Sequence, residues 1–257
     1  MFQPKRQKPT TEDNRRAAGI ISLFLAFFAL TSVPAALAET PTPTPTATPT
    51  ITATPSPTPT AIPDPPGFTE PSIDEAGSIW VVVNKKRPLN PIRYKPVLDK
   101  SVNLAKPAAD AFRALKAAVS KAKMGTLCLN SGYRSYNTQS YTYNLQLKRY
   151  GKKVAENLAA HPGYSEHQTG LAADVSTTAL SCRITNFGKS ATSKWISNNA
   201  WQYGFIVRYP DGETATTGYQ YEPWHLRFVG IELATKMHDQ KITVLEKFWN
   251  LPAAKSY

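Results

Sequence analysis

The stretch from Thr40 to Pro66, TPTPTPTATPTITATPSPTPTAIPDPP, decides where a fold can begin. Proline fixes its own φ and has no amide hydrogen to donate, so a segment this rich in it builds neither helix nor sheet and stays extended, at about 3.1 Å per residue. It serves as a spacer, open to O-glycosylation on Thr, or as a passive leader; composition does not separate the two. Ahead of it, Lys5, Arg6, Lys8, Arg15 and Arg16 precede an uncharged apolar run from Ala17 to Ala38 that closes on the small-x-small triplet Ala36, Leu37, Ala38. That is the pattern of a cleaved export signal. The run is also long enough for an uncleaved anchor with its basic end inside, since about 20 apolar residues suffice. No Cys lies near it, which excludes a lipid-modified anchor. The expected organisation is a signal peptide or anchor over 1–38, a linker over 39–71 and one folded domain over 72–257, outside the cytoplasm, secreted or held in the cell envelope.

The downstream part alternates helical and strand signals. The Ala-rich amphipathic stretch from Lys106 to Lys123, with Pro107 in its first turn, predicts a helix. Further helices are expected over Tyr136–Tyr150, ending before Gly151, over Ser193–Tyr203, ending at Gly204, and over Ile231–Gln240. Strands are expected at Thr126–Asn130, in the run Leu171, Ala172, Ala173, at Phe205–Tyr209 and at Trp224–Val229. Several short strands among separate helices predict an α+β fold with a small antiparallel sheet flanked by helices.

Within that domain, His167 and Asp174 in SEHQTGLAAD and Glu222 and His225 in EPWH carry the chemistry. Two imidazoles and one carboxylate form an open catalytic zinc set, which leaves a position for water, and a second carboxylate nearby can take that water's proton. Seven residues separate His167 from Asp174, too many for one helical face, but Gly170 permits a turn between them. Glu222 and His225, three apart across Pro223 and Trp224, sit in a short turn or at the start of a strand that aims both into one cleft. The two remaining histidines, His161 and His238, have no acidic or Cys partner at ligand spacing and are expected to be non-ligands.

The strings LNSGYRSYNTQ, HPGYSEHQTGLAADV and EPWHLRFVG, with VNKKRPLNPIRYKP upstream, resemble the D-alanyl-D-alanine carboxypeptidases of the VanY type, within the wider group of zinc peptidases that includes lysostaphin-like and hedgehog-like domains. The resemblance runs from about Val81 to about Gly230. It implies zinc on His167, Asp174 and His225, Glu222 as catalytic base, Arg134 as stabiliser of the oxyanion, and Gln139 and Ser165 as holders of the substrate's terminal residue. A guanidinium suits the role given to Arg134, because it presents always-charged donors where negative charge develops. Tyr133 and Trp224 line the cleft or fill core.

Cys128 and Cys182 are the only two cysteines. An even pair outside the cytoplasm, in contexts that match no metal pattern, predicts a disulfide between the strand leading to Arg134 and the loop after Asp174; two separate buried thiols are the alternative. The formal net charge is +12, and the first 38 residues hold five basic and two acidic residues, so about +9 remains without them. A basic exported protein concentrates at polyanions, here anionic wall polymers and the carboxylates of peptidoglycan stem peptides. Nucleic acid is not expected, because the basic residues are dispersed and no binding motif accompanies them. A membrane is expected to be touched only through an uncleaved N-terminal segment. The expected activity is removal of the terminal D-alanine from stem peptides; an L,D-carboxypeptidase, an endopeptidase or a non-catalytic wall-binding module are the alternatives, the last disfavoured by the spare carboxylate Glu222.

Overall fold

The computed structural model describes residues 72–257. The expected signal or anchor and the Pro/Thr linker lie outside the described residues. Within them the chain forms a two-stranded antiparallel ribbon, β1 (Leu98–Asp99) and β2 (Leu104–Ala105), then helix α1 (Lys106–Lys121), strand β3 (Leu127–Ser131) and helices α2 (Tyr136–Tyr150) and α3 (Lys152–Leu158). Strand β4 (Ala172–Thr177), helix α4 (Ala191–Asn199), strand β5 (Phe205–Tyr209), the short helix α5 (Thr214–Thr217), strand β6 (Glu222–Phe228) and helices α6 (Ile231–Asp239) and α7 (Leu245–Phe248) follow. The four longer strands make one antiparallel sheet in the order β3-β4-β6-β5, so the predicted α+β architecture is the one observed. No helix of the described residues is long and apolar enough to cross a membrane.

Strand alternation gives this sheet two unlike faces. Ala173 and Val175 of β4, Leu226 and Phe228 of β6 and Phe205 of β5 join the main apolar core, together with Ala108, Phe112, Leu115 and Val119 of α1 and Ile196 of α4. Burying Leu115 or Phe112 there contributes about 1.5–3 kcal/mol each, and Leu115→Ala is expected to cost about 2–5 kcal/mol through the cavity it leaves. The intervening residues, Asp174, His225 and Arg227, alternate to the opposite face. Register then sets them side by side: Asp174 pairs with both Ser131 of β3 and His225 of β6.

Several boundaries differ from expectation, each for a local reason. Helix α1 stops at Lys121 because Lys123 adopts a left-handed φ of 59°. Helix α4 starts at Ala191 because the Ser190 side chain accepts from the Ser193 amide at 3.0 Å and caps it; its expected end, up to Gly204, is a separate 3-10 turn over Ala200–Tyr203. Strand β6 begins two residues early, at Glu222, because Glu222 pairs with Tyr209 beyond an irregularity in β5. Helix α3 was not anticipated; it folds back against α2 after Gly151, whose φ of 76° breaks the two helices apart.

Candidate active site

A cleft of about 320 Å³ opens on the polar side of the sheet, and all seven residues singled out in the sequence line it: Arg134, Gln139, Ser165, His167, Asp174, Glu222 and His225. His167 comes from a 3-10 turn, Glu166–Thr169, that ends at Gly170 with φ 73°. A Cβ on Gly170 would stand 2.9 Å from the Ala105 nitrogen, which donates to the Gly170 carbonyl, so only glycine lets the chain turn here against β2 and enter β4. The turn carries His167 onto the row held by Asp174 and His225.

Three side chains converge. His167 Nε2 is 3.2 Å from Asp174 Oδ2, His225 Nδ1 is 3.1 Å from Asp174 Oδ1, and one ligand atom from each lies within 4.8 Å of the others. Zinc held at about 2.0–2.2 Å in tetrahedral geometry keeps its ligand atoms about 3.3–3.6 Å apart, so the three donors already stand close to the spacing that such an ion requires. Asp174 Oδ1 is buried and makes no hydrogen bond, the state of an atom that has a cation as its natural partner. The far ring nitrogens are turned to the protein: His167 Nδ1 meets the Gly132 carbonyl at 2.7 Å, and His225 Nε2 faces Glu166 Oε2 at 3.5 Å. This arrangement directs Nε2 of one ring and Nδ1 of the other into the cleft.

Glu222 stands outside the converging set, with its Oε2 3.7 Å from His225 Nδ1. Burial lifts its carboxyl to about 7, the Asp174 charge adds to the lift, and His225 and Arg134 oppose it. Burial also acts on Asp174, but His167 and His225 outweigh it and hold that carboxyl well below the usual range. The two acids are thus driven apart, one kept ionised and one poised to exchange a proton near neutral pH.

Arg134 leaves β3 through Gly132 and Tyr133 and is anchored before α2 begins. Its amide donates to the His167 carbonyl at 3.1 Å, its Nη2 to Ser131 Oγ at 3.0 Å and its Nη1 to Gln139 Oε1 at 2.9 Å. The guanidinium lies 3.8 Å from Asp174 Oδ2. Gln139, four residues into α2, donates to the Ala160 carbonyl at 2.7 Å, so its amide ties Arg134 to the far wall of the cleft. Ser165, also buried, immediately precedes the turn that carries His167. His161 and His238 are remote from this set: His161 stacks on the Tyr257 ring at 3.6 Å and His238 on Trp201 at 4.1 Å.

Beneath the site lies a cluster that sequence reasoning missed. Glu166, Arg208, Arg227 and Glu246 are all fully enclosed, two cations against two anions. Glu166 Oε1 accepts from Arg208 Nε and Arg227 Nη1, each at 2.8 Å; Glu246 takes a two-pronged contact from Arg208 at 2.7 and 3.0 Å, and Asn84 adds a bond at 2.9 Å. Arg227 also donates to the Val81 and Ile79 carbonyls at 2.7 and 3.0 Å. A signal for it was present, since Arg208 sits inside the otherwise apolar strand β5 and Arg227 shares a face of β6 with His225 two residues away. The predicted disulfide exists: Cys128 of β3 and Cys182 beyond β4 are joined, with Cα atoms 5.6 Å apart.

Residues 101–231, just over half of the chain, match the family profile VanY, D-alanyl-D-alanine carboxypeptidase. The Bacillus subtilis protein YodJ is 41% identical over 146 residues, 56% of this chain. The match spans about half the length of YodJ (53%) and of an Enterococcus faecium D-alanyl-D-alanine carboxypeptidase (46%). Among solved structures, the LD-carboxypeptidase LdcB superposes with a TM-score of 0.62 at 35% identity, over 71% of this chain and 89% of its own; VanYB in complex with D-alanine-D-alanine does so with a TM-score of 0.59 at 31% identity, over 66% and 96%. The chain belongs to the VanY family of D-alanyl-D-alanine carboxypeptidases.

Proposed function

We propose that this protein is a zinc-dependent D-alanyl-D-alanine carboxypeptidase that removes the C-terminal D-alanine of peptidoglycan stem peptides. The observation that carries the reading is the placement of Glu222, a carboxylate 3.7 Å from His225 that lines the same cleft and stands outside the His167, Asp174, His225 donor set, as a hydrolase needs and a structural metal site does not. The related D,D-pentapeptidase VanY has been solved with Zn(II), which supports the same metal on these residues. Bound there, zinc supplies a Lewis acid that makes hydroxide available near neutral pH. Glu222 takes the proton of the attacking water and returns it to the departing amine. Arg134, fixed by Ser131 and Gln139, offers its donors to the oxygen on which negative charge develops. Gln139 and Ser165 hold the terminal residue.

An L,D-carboxypeptidase, which acts on the tetrapeptide, is the second reading, favoured by the likeness to LdcB and, at 34% identity, to the L,D-carboxypeptidase DacB. Export to the cell envelope belongs to either reading and is supported by the Cys128–Cys182 disulfide, a bond that persists in oxidising compartments. The test is to incubate the purified protein with defined pentapeptide and tetrapeptide stems, with and without a chelator, and to identify the released amino acid by mass. Release of D-alanine from the pentapeptide alone, abolished by the chelator, is the expected result; release from the tetrapeptide alone selects the second reading, and full activity after exhaustive chelation defeats both.

A further inference from the structure

Helix α2 does more than supply Gln139. Gln139, Gln146, Arg149 and Tyr150 all line the same cleft, and their spacing of seven, ten and eleven residues puts them on one side of the helix. The helix therefore runs along the cleft as a wall, with Gln139 at the zinc-set end and Arg149 ten residues on, about 15 Å away at a rise of 1.5 Å per residue. Leu158 of α3 lines the cleft too, but α3 folds back along α2 and Ala160, two residues further, bonds Gln139, so the side chain beside Arg149 at the far end is Tyr150, 49% exposed. Arg149 is exposed as well, and its guanidinium lies 5.9 Å from the Tyr150 ring. The acidic side chain of α3, Glu156, faces Lys152 and His161 instead. The far end of the cleft thus presents an always-charged fork beside the Tyr150 ring, with no carboxylate paired to it among the described residues.

We propose that Arg149 forms a distal subsite that recognises a free carboxylate on the substrate peptide, about 15 Å from its terminal residue. This rests on the proposed function, in which Gln139 marks the position of the terminal residue. An extended peptide rises about 3.3–3.6 Å per residue, so 15 Å corresponds to roughly four residues, or to three where one of them is linked through a longer side-chain carboxyl. Peptidoglycan stems offer a carboxylate at about that reach from two sources: the α-carboxylate left free on a γ-linked D-glutamate, three residues upstream, and the second carboxylate of a diamino diacid, two residues upstream but carried at the end of a long side chain. Both have the planar two-oxygen shape that a guanidinium meets with paired hydrogen bonds, and a primary amide in either place does not.

The test measures binding as well as cleavage. Four synthetic stems of the form L-Ala–γ-D-Glu–X–D-Ala–D-Ala are used, with X either L-lysine or meso-diaminopimelate and the D-glutamate α-carboxyl either free or amidated. Dissociation constants are taken on zinc-loaded full-length Glu222→Gln protein and on the same protein carrying Arg149→Gln, and kcat/KM is taken on the parent and on Arg149→Gln. A preference of about three- to thirtyfold for one carboxylate over its uncharged counterpart, collapsing to about one in both Arg149→Gln proteins, is the expected result, and the pair that shows it identifies the source. Equal binding of all four peptides, or a preference that survives Arg149→Gln, overturns the subsite. A charge-dependent preference in binding without cleavage of any peptide by the parent overturns the proposed function and leaves the subsite standing.

Discussion

Glu166 Oε2 and His225 Nε2 face each other at 3.5 Å, both enclosed and neither with another hydrogen-bond partner among the described residues. Glu166 spends its other oxygen on Arg208 and Arg227, so the one facing His225 is fixed in direction by two charge-assisted bonds. A carboxylate can only accept, and it therefore keeps the His225 proton on Nε2 and leaves Nδ1 to the cleft. Glu166→Gln can turn an amide donor toward the ring and reverse that preference. Zinc affinity, measured by competition with a chelator, is expected to fall about 10- to 100-fold. Glu246→Gln is the control, because it removes the same charge from the same buried quartet without touching His225; it should lower stability and leave the affinity near that of the parent. Equal losses of affinity in the two variants would mean that Glu166 acts through the fold alone.

Glu222→Gln preserves size and hydrogen bonding but cannot take a proton. Turnover should fall by about 10² to 10⁴ while zinc content stays close to one ion per chain, as read by metal analysis of the purified variant. Loss of zinc would instead make Glu222 a ligand.

Arg134→Lys keeps the charge and loses the fork. The side chain now bonds Ser131 and Gln139 through separate nitrogens and sits 3.8 Å from Asp174, an arrangement one ammonium cannot reproduce. The loss is expected in kcat rather than in metal content, on the order of 10² or more. A variant that changes only KM would move Arg134 from the reaction to ground-state binding.

What the sequence made legible follows from how local each cause is. His167, Asp174, Glu222 and His225 could be read as one set because few chemistries use that combination of side chains, and the two short strings holding them turn out to be the start of one strand, its neighbour and the turn before it. The helix over Tyr136–Tyr150 was bounded correctly because both of its ends are set by nearby residues, a Ser135 cap and Gly151. Glu166 was passed over although it lies inside the quoted motif, because its partners Arg208 and Arg227 are 42 and 61 residues away. Glu246, in a C-terminal stretch without clear periodicity, was invisible for the same reason: only its contact with Arg208 of β5, 38 residues away, brings it beneath the site. Helix α3 is short and leans on α2, so tertiary packing rather than propensity makes it.

The Cys128–Cys182 bridge closes a loop spanning 54 residues between β3 and the segment beyond β4, the two elements that present Arg134 and Asp174. Replacing both cysteines with serine frees that loop in the unfolded chain. Stability should drop by about 2–4 kcal/mol, a fall in melting temperature on the order of 10 °C by calorimetry. An unchanged melting temperature would show that the sheet alone fixes the spacing of β3 and β4.

The final expectation concerns which end of the peptide is read. A carboxypeptidase recognises a free terminal carboxylate, and a buried site built around that anion rejects a neutral replacement because its donors are left unpaired. Amidating the terminal D-alanine is therefore expected to lower kcat/KM by about 10² to 10⁴. An endopeptidase would be nearly indifferent, so similar rates for the acid and the amide, or cleavage inside a cross-linked dimer, would defeat the carboxypeptidase reading and leave the zinc set intact. Gln139→Ala and Ser165→Ala sharpen the experiment, but not equally. Gln139 also braces Arg134 and the Ala160 carbonyl, so its loss should reduce turnover on both peptides in addition to narrowing the gap between them. Ser165 donates to neither of those groups, so its loss should narrow the gap with a smaller effect on turnover. Variants that discriminate as the parent does would remove both residues from the terminal pocket.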